Sequence, residues 1–108
     1  MIWKVQYSAS SREDLQSIYR YIAYELFSPK AAEGQVERIM KAVRSLDRMA
    51  LRHPIYHNEP WKSKKVRFFP VDNYVIFYLP NNDLGVVNIV RIIYGGRDMA
   101  EQINEDQN

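Results

Sequence analysis

Apolar residues recur every three or four positions through the first half of this chain, and every second position through the last third. Leu15, Ile18, Ile22 and Leu26 form one helical stripe, and Val36, Ile39, Met40, Val43 and Leu46 form another. A period near 3.6 marks an amphipathic helix, and a period of two marks a strand with distinct faces. A chain patterned this way must pack its helices on a sheet built largely from its C-terminal strands.

Residues 2–7 alternate Ile, Lys and Gln against Trp, Val and Tyr, which predicts a first strand. Ser10 followed by Glu13 fits a capping box, so a helix is expected over residues 11–27. Ser28-Pro29 restarts the pattern with a serine cap and a proline at the first helical position, where its missing donor is harmless. This second helix should reach residue 51, and the tight join predicts an antiparallel hairpin. Around Pro54 and Pro60 the pattern dissolves into a loop. Strands are expected over residues 64–69, 73–79 and 86–94, separated by the turn-rich stretches PVDN and PNNDLG. Short connections make these three an antiparallel meander. Gly95 and Gly96 can take φ > 0 and turn the chain off the sheet. A short helix over residues 97–103, capped by Asp98, would follow. The fold class is α+β: a strand, an antiparallel helix hairpin, a three-stranded antiparallel meander in one sheet, and a short C-terminal helix.

At 108 residues there is room for one domain, spanning 1–108. A domain this size buries about two-thirds of its unfolded surface, so it is expected to lean on a partner. The chain has no cysteine, which removes disulfides, thiolate metal sites and thiol nucleophiles and fits a reducing cytoplasm. The N-terminus lacks the apolar core of a signal peptide, and the longest apolar run, residues 74–79, is too short to span a bilayer. No membrane association is expected. The net charge of +2 is small but polarised, with WKSKKVR basic and the stretch after Arg97 acidic.

Strand alternation predicts that Val75, Phe77 and Leu79 face the helices. Lys65, Arg67, Tyr74, Tyr78 and Arg91 would then share the other face. Such a face offers phosphate neutralisation and stacking, the chemistry of nucleic-acid contact. It could equally receive an acidic protein segment, or simply keep an exposed sheet soluble. His53 and His57, near Glu59, have no third ligand at metal spacing, so neither a metal site nor a cofactor is expected. No nucleophile–base pair, carboxylate pair or phosphate loop is visible. A hydrolase built on this chain would have to use Arg, Lys and Tyr for charge stabilisation and proton transfer.

The stretches SASSREDLQSIYRYIA and VRFFPVDNYVIFYLPNNDLGVVNIVRIIYGGRD resemble the first helix and the strand block of the RelE/ParE family of bacterial toxins. The resemblance runs over residues 2–103. It implies the toxin of a type II toxin–antitoxin, or plasmid-stabilisation, module, neutralised by a cognate antitoxin in the cytoplasm. RelE-like members cut messenger RNA on the ribosome without a metal; ParE-like members trap DNA gyrase. For a RelE-like nuclease, Lys65, Arg67 and Arg91 would hold the scissile phosphate and Tyr94 would transfer the proton. Target or nucleic-acid contacts would fall on Lys62, Lys64, Lys65, Arg67, Tyr74, Tyr78, Arg91 and Arg97. The ending GGRDM and the helical hairpin favour the gyrase branch, and the stretch after Asp98 lacks the Tyr, His or Lys of a nuclease. Tyr94, where many ParE-like chains carry histidine, leaves the ribosome as the alternative target.

Overall fold

The computed structural model describes residues 2–96, so Arg97, the helix expected at 97–103 and its Asp98 cap lie outside the described residues. Strand β1 (Lys4–Tyr7) leads into helix α1 (Ala9–Arg20), which widens into one π turn at Tyr21–Glu25. Helix α2 (Pro29–Arg44) returns and tightens into a 3-10 turn at Ser45–Asp47. A four-residue helix, α3 (Trp61–Lys64), precedes strands β2 (Arg67–Val71), β3 (Tyr74–Asn81) and β4 (Val86–Tyr94). The sheet order is β1-β4-β3-β2, with β2–β3–β4 the expected antiparallel meander and β1 parallel to β4. Among the described residues no helix is long and apolar enough to cross a membrane.

The helix ends differ locally from expectation. Ser8 caps α1 rather than Ser10: its Oγ accepts from the Ser11 amide at 3.0 Å and donates to the Val90 carbonyl at 3.0 Å. One hydroxyl therefore starts the helix and ties it to β4, which a cap two residues later would not do. At the far end the Leu26 amide reaches back to the Tyr21 carbonyl at 3.1 Å, widening the last turn before Phe27 adopts φ 54°. Pro29 opens α2 as expected, but the Ser28 hydroxyl donates to the Leu26 carbonyl instead of capping. The second helical segment ends at Asp47, short of residue 51.

The largest correction concerns the faces of the sheet. Ile18, Ile39, Val43 and Leu46 of the helical layer pack on Phe69, Ile76, Tyr78, Val87, Ile89 and Ile92. Val75 and Phe77, expected under the helices, lie on the opposite face with Val66, Tyr56, Trp61 and Ile93. Residues 53–62, read as a loop, bridge to β2 at Ile55 and begin α3, and the strand expected from residue 64 starts only at Arg67, so the second face is covered as well. Trp61 is 1% exposed and tilts against Phe77 at 4.5 Å. Burying a side chain of that size stabilises the fold by about 2–3 kcal/mol. With both faces apolar, alternation alone does not say which one takes the helices.

A bulge in β4 changes the alternation again. Phe77 sits opposite Arg91 and Tyr78 opposite Ile89, leaving Val90 without a counterpart. An extra residue flips parity, so Ile89 and Ile92 both face the helices. The outer edge of β2 carries Pro70, a residue with no amide to offer a further strand.

Candidate functional site

β4 outruns its neighbour. β1 pairs with it only from Val86 to Ile89, so the following residues present an open edge toward α1. Ser8 takes the first groups of that edge, its amide donating to the Ile89 carbonyl at 3.1 Å. Asp14, one turn further along α1, takes the next. Its Oδ2 accepts from the Ile92 amide at 2.9 Å and from Arg91 Nε at 2.8 Å, and its Oδ1 accepts from Arg91 Nη2 at 2.9 Å. The two side chains are only 14% and 16% exposed. Arg91 is thus tolerated in an apolar strand because a bulge aims it at a half-buried carboxylate.

Beyond this clamp, the ends of β3 and β4 diverge from the helical hairpin and leave a cleft of about 730 Å³. Ile18, Ile22 and Leu26 form its apolar wall and Tyr21, Tyr74 and Tyr94 its mouth. Tyr74 and Tyr94 are register partners, and their rings meet edge-on at 5.8 Å. Burial raises the Tyr74 phenol above its ordinary value, and the nearby Tyr94 and Tyr21 hydroxyls add to the rise. The Tyr74 phenol is therefore a neutral donor at physiological pH. Tyr21 and Tyr94 are more than half exposed, so the rim offers partners both ring surface and hydroxyls. The floor is braced by Asp72 in the β2–β3 turn, whose Oδ2 accepts from Arg38 Nε at 2.8 Å and Gln35 Nε2 at 3.0 Å. Those bonds hold its carboxyl below the usual carboxylate value.

The glycine pair works by close approach rather than by φ > 0. Among the described residues only Gly85 is a glycine with positive φ. A Cβ on Gly95 would sit 3.3 Å from Val75 Cγ2, and one on Gly96 would fall 2.6 Å from the Tyr94 ring. Gly96 is the bed on which Tyr94 lies.

The expected site residues are thus divided. Tyr74, Tyr94 and, through Asp14, Arg91 gather at the cleft. Tyr78 is fully buried on the helix face, where its hydroxyl donates to the Ala50 carbonyl at 2.8 Å and burial raises its pKa. Arg67 lies two strands from Arg91, a lateral separation of about 10 Å. Its Nη1 donates to the carbonyls of His53 at 2.7 Å and Leu51 at 3.2 Å. Lys62 and Lys64 are on α3, and Lys65 ends that helix in the left-handed region at φ 63°. Glu59 caps α3 through the Ser63 amide and hydroxyl, bonds that lower its pKa. His53 stacks on Phe69 at 4.2 Å, and His57 leans on Tyr56.

Sequence reasoning missed Asp14, Tyr21, Gln35 and Arg38. Asp14 carried a signal: it precedes Ile18 and Ile22 at intervals of four, which puts it in line with the buried stripe of α1.

Residues 5–99 match the model of a family described as the ParE toxin of the type II toxin–antitoxin system parDE. No curated protein matches the chain in sequence. A chain of the chromosomal ParDE toxin–antitoxin system from P. aeruginosa superposes with a TM-score of 0.72 at 19% identity, covering 88% of this chain and 98% of that one. A chain of the RelBE2 toxin–antitoxin complex from Mycobacterium tuberculosis superposes at 0.58 with 17% identity, covering 87% and 99%.

Proposed function

The chain belongs to the ParE toxin family of type II toxin–antitoxin systems, and from that premise we propose that it acts in the cytoplasm by binding DNA gyrase. In this reading it is a non-catalytic inhibitor that works through protein surface, and a cognate antitoxin neutralises it by occupying the tyrosine-rimmed cleft.

One observation carries the choice of gyrase over messenger RNA. Of the two arginines that a nuclease would aim at a scissile phosphate, Arg91 has its Nε and Nη2 on Asp14 and Arg67 gives its Nη1 to two backbone carbonyls. A phosphate-binding arginine needs its fork of donors open to the ligand, and charge stabilisation needs several such groups converging on one point. Here Arg67 and Arg91 stand apart with β3 between them, and Lys65 sits at the end of α3. The cleft supports the antitoxin part of the reading: it is concave, apolar inside and rimmed by tyrosine, the composition of a protein-binding hot spot.

The test uses purified toxin in two assays, gyrase supercoiling and cleavage of messenger RNA in a translating extract. Inhibited supercoiling with intact message is expected. Cleaved message with normal supercoiling would reverse the choice and return Lys65, Arg67, Arg91 and Tyr94 to candidacy as nuclease residues.

A further inference from the structure

Arg38, Arg67 and Arg91 are engaged inside the fold, but another group of cations is not. Lys41 and Arg44 occupy the last turn of α2, Arg48 ends the following 3-10 turn, and Arg52 stands in the next loop. All four are exposed. The Trp3 amide bonds the Asp47 carbonyl at 2.7 Å and so fixes β1 beside the 3-10 turn. Arg44 lies close enough to β1 to act on the Tyr7 phenol. None of the four has a carboxylate partner among the described residues, whose two salt bridges are Arg38–Asp72 and Arg91–Asp14. Within the band the one acidic residue is the half-buried Asp47, while Glu33 and Glu37 belong to the earlier part of α2.

We propose that this band, Lys41, Arg44, Arg48 and Arg52, binds the phosphate backbone of duplex DNA. Lys41 and Arg44 lie on one face of α2 with their Cβ atoms about 5–6 Å apart, and Arg48 and Arg52 follow beyond the 3-10 turn. A row of that kind neutralises successive phosphates without reading sequence. The rings beside the band are taken up by packing, Tyr7 against the helical core and His53 on Phe69, whereas single-stranded nucleic acid is held largely by stacking on available aromatic rings. The tyrosine cleft is formed elsewhere, by the π turn and the opposite ends of β3 and β4, so both surfaces can be occupied at once. The inference rests in part on the gyrase reading, since gyrase presents duplex DNA beside any protein docked on it.

The test is anisotropy of a short labelled duplex titrated with the full-length toxin alone across a salt series. Each neutralised phosphate contributes a slope of about −0.9 in log K against log salt. Arg44→Gln with Arg48→Gln should lower the slope by about 1.8 and leave circular dichroism unchanged. Arg20→Gln with Lys30→Gln, at the opposite end of the helical hairpin, should leave the slope as it is. No duplex binding by the wild type at low salt overturns the proposal. So does a band variant that keeps the wild-type slope but loses affinity for the antitoxin, an outcome that assigns the band to an acidic protein. Tighter binding of single strands than of duplex also overturns it. Supercoiling inhibition on the same preparations reports separately on gyrase: inhibition without DNA affinity sinks this inference alone.

Discussion

Asp14 holds Arg91 through two hydrogen bonds of 2.8 and 2.9 Å, and with the same carboxylate accepts the Ile92 amide at the open edge of β4. The pair lies at about 15% exposure, where a lone charge costs roughly 3 kcal/mol. Asp14→Ala strands both a guanidinium and a strand amide, whereas Arg91→Met leaves a carboxylate that still has the amide to accept. The aspartate substitution should therefore be the more costly, by about 1 kcal/mol. Urea unfolding of the two variants and of the double variant measures this directly, and the reverse order would show the pair is not the anchor described here. Because Arg91 is structural in this account, Arg91→Met that folds should remain toxic.

Tyr78→Phe isolates one buried hydrogen bond. The ring stays fully buried against the helical layer, but the Ala50 carbonyl loses its donor. A loss of about 1–2 kcal/mol is expected, seen as a lower midpoint in urea with an unchanged slope. Growth arrest on induction should be unaltered, since the side chain reaches no surface. Loss of toxicity in the folded variant would contradict its placement.

His53 gives the fold a pH dependence whose sign follows from its surroundings. Burial, and then the charge of Arg52, lower its pKa from the ordinary 6.5. Between the folded value and 6.5 the unfolded chain binds the proton more readily than the folded one. Stability is therefore full above about pH 6.5 and falls as pH drops through the window beneath it. Asp72, also lowered but from 3.8, acts only in the more acid range. His53→Phe keeps the stack on Phe69 and removes the titration. Its stability should change less than that of the wild type between about pH 7.5 and about pH 5.5. Parallel profiles for the two proteins would assign the dependence to other groups.

The order of elements was legible because the apolar period differs between strands and helices and the turns carry their own chemistry. What alternation could not decide was the choice of face in β3, where Tyr74, Ile76 and Tyr78 on one side and Val75 and Phe77 on the other are all apolar enough to bury. That choice depends on residues 54–66, whose prolines hide a segment that covers the sheet through Tyr56 and Trp61. One bulge at Val90 then shifted every later residue of β4 to the other face. Tyr74 was named from strand alternation and Tyr94 from the family resemblance, and the structure sets their rings edge-on. Asp14 was not, because its partner is 77 residues away and no local pattern joins them.

Gly96→Ala is a conservative way to move Tyr94. The added Cβ would fall 2.6 and 2.8 Å from ring carbons of a side chain that is 57% exposed. An exposed ring can swing aside, so stability should change by no more than about 0.5 kcal/mol. The rim of the cleft would nonetheless lose its edge-on contact between Tyr74 and Tyr94. If the antitoxin occupies this cleft, its affinity should fall about tenfold or more, which corresponds to about 1.4 kcal/mol. Tyr94→Ala should weaken binding at least as much, and Lys62→Gln, on α3, should not. Calorimetric titration of each variant with the antitoxin decides the matter, and undiminished affinity in both Gly96→Ala and Tyr94→Ala would place the antitoxin on another surface.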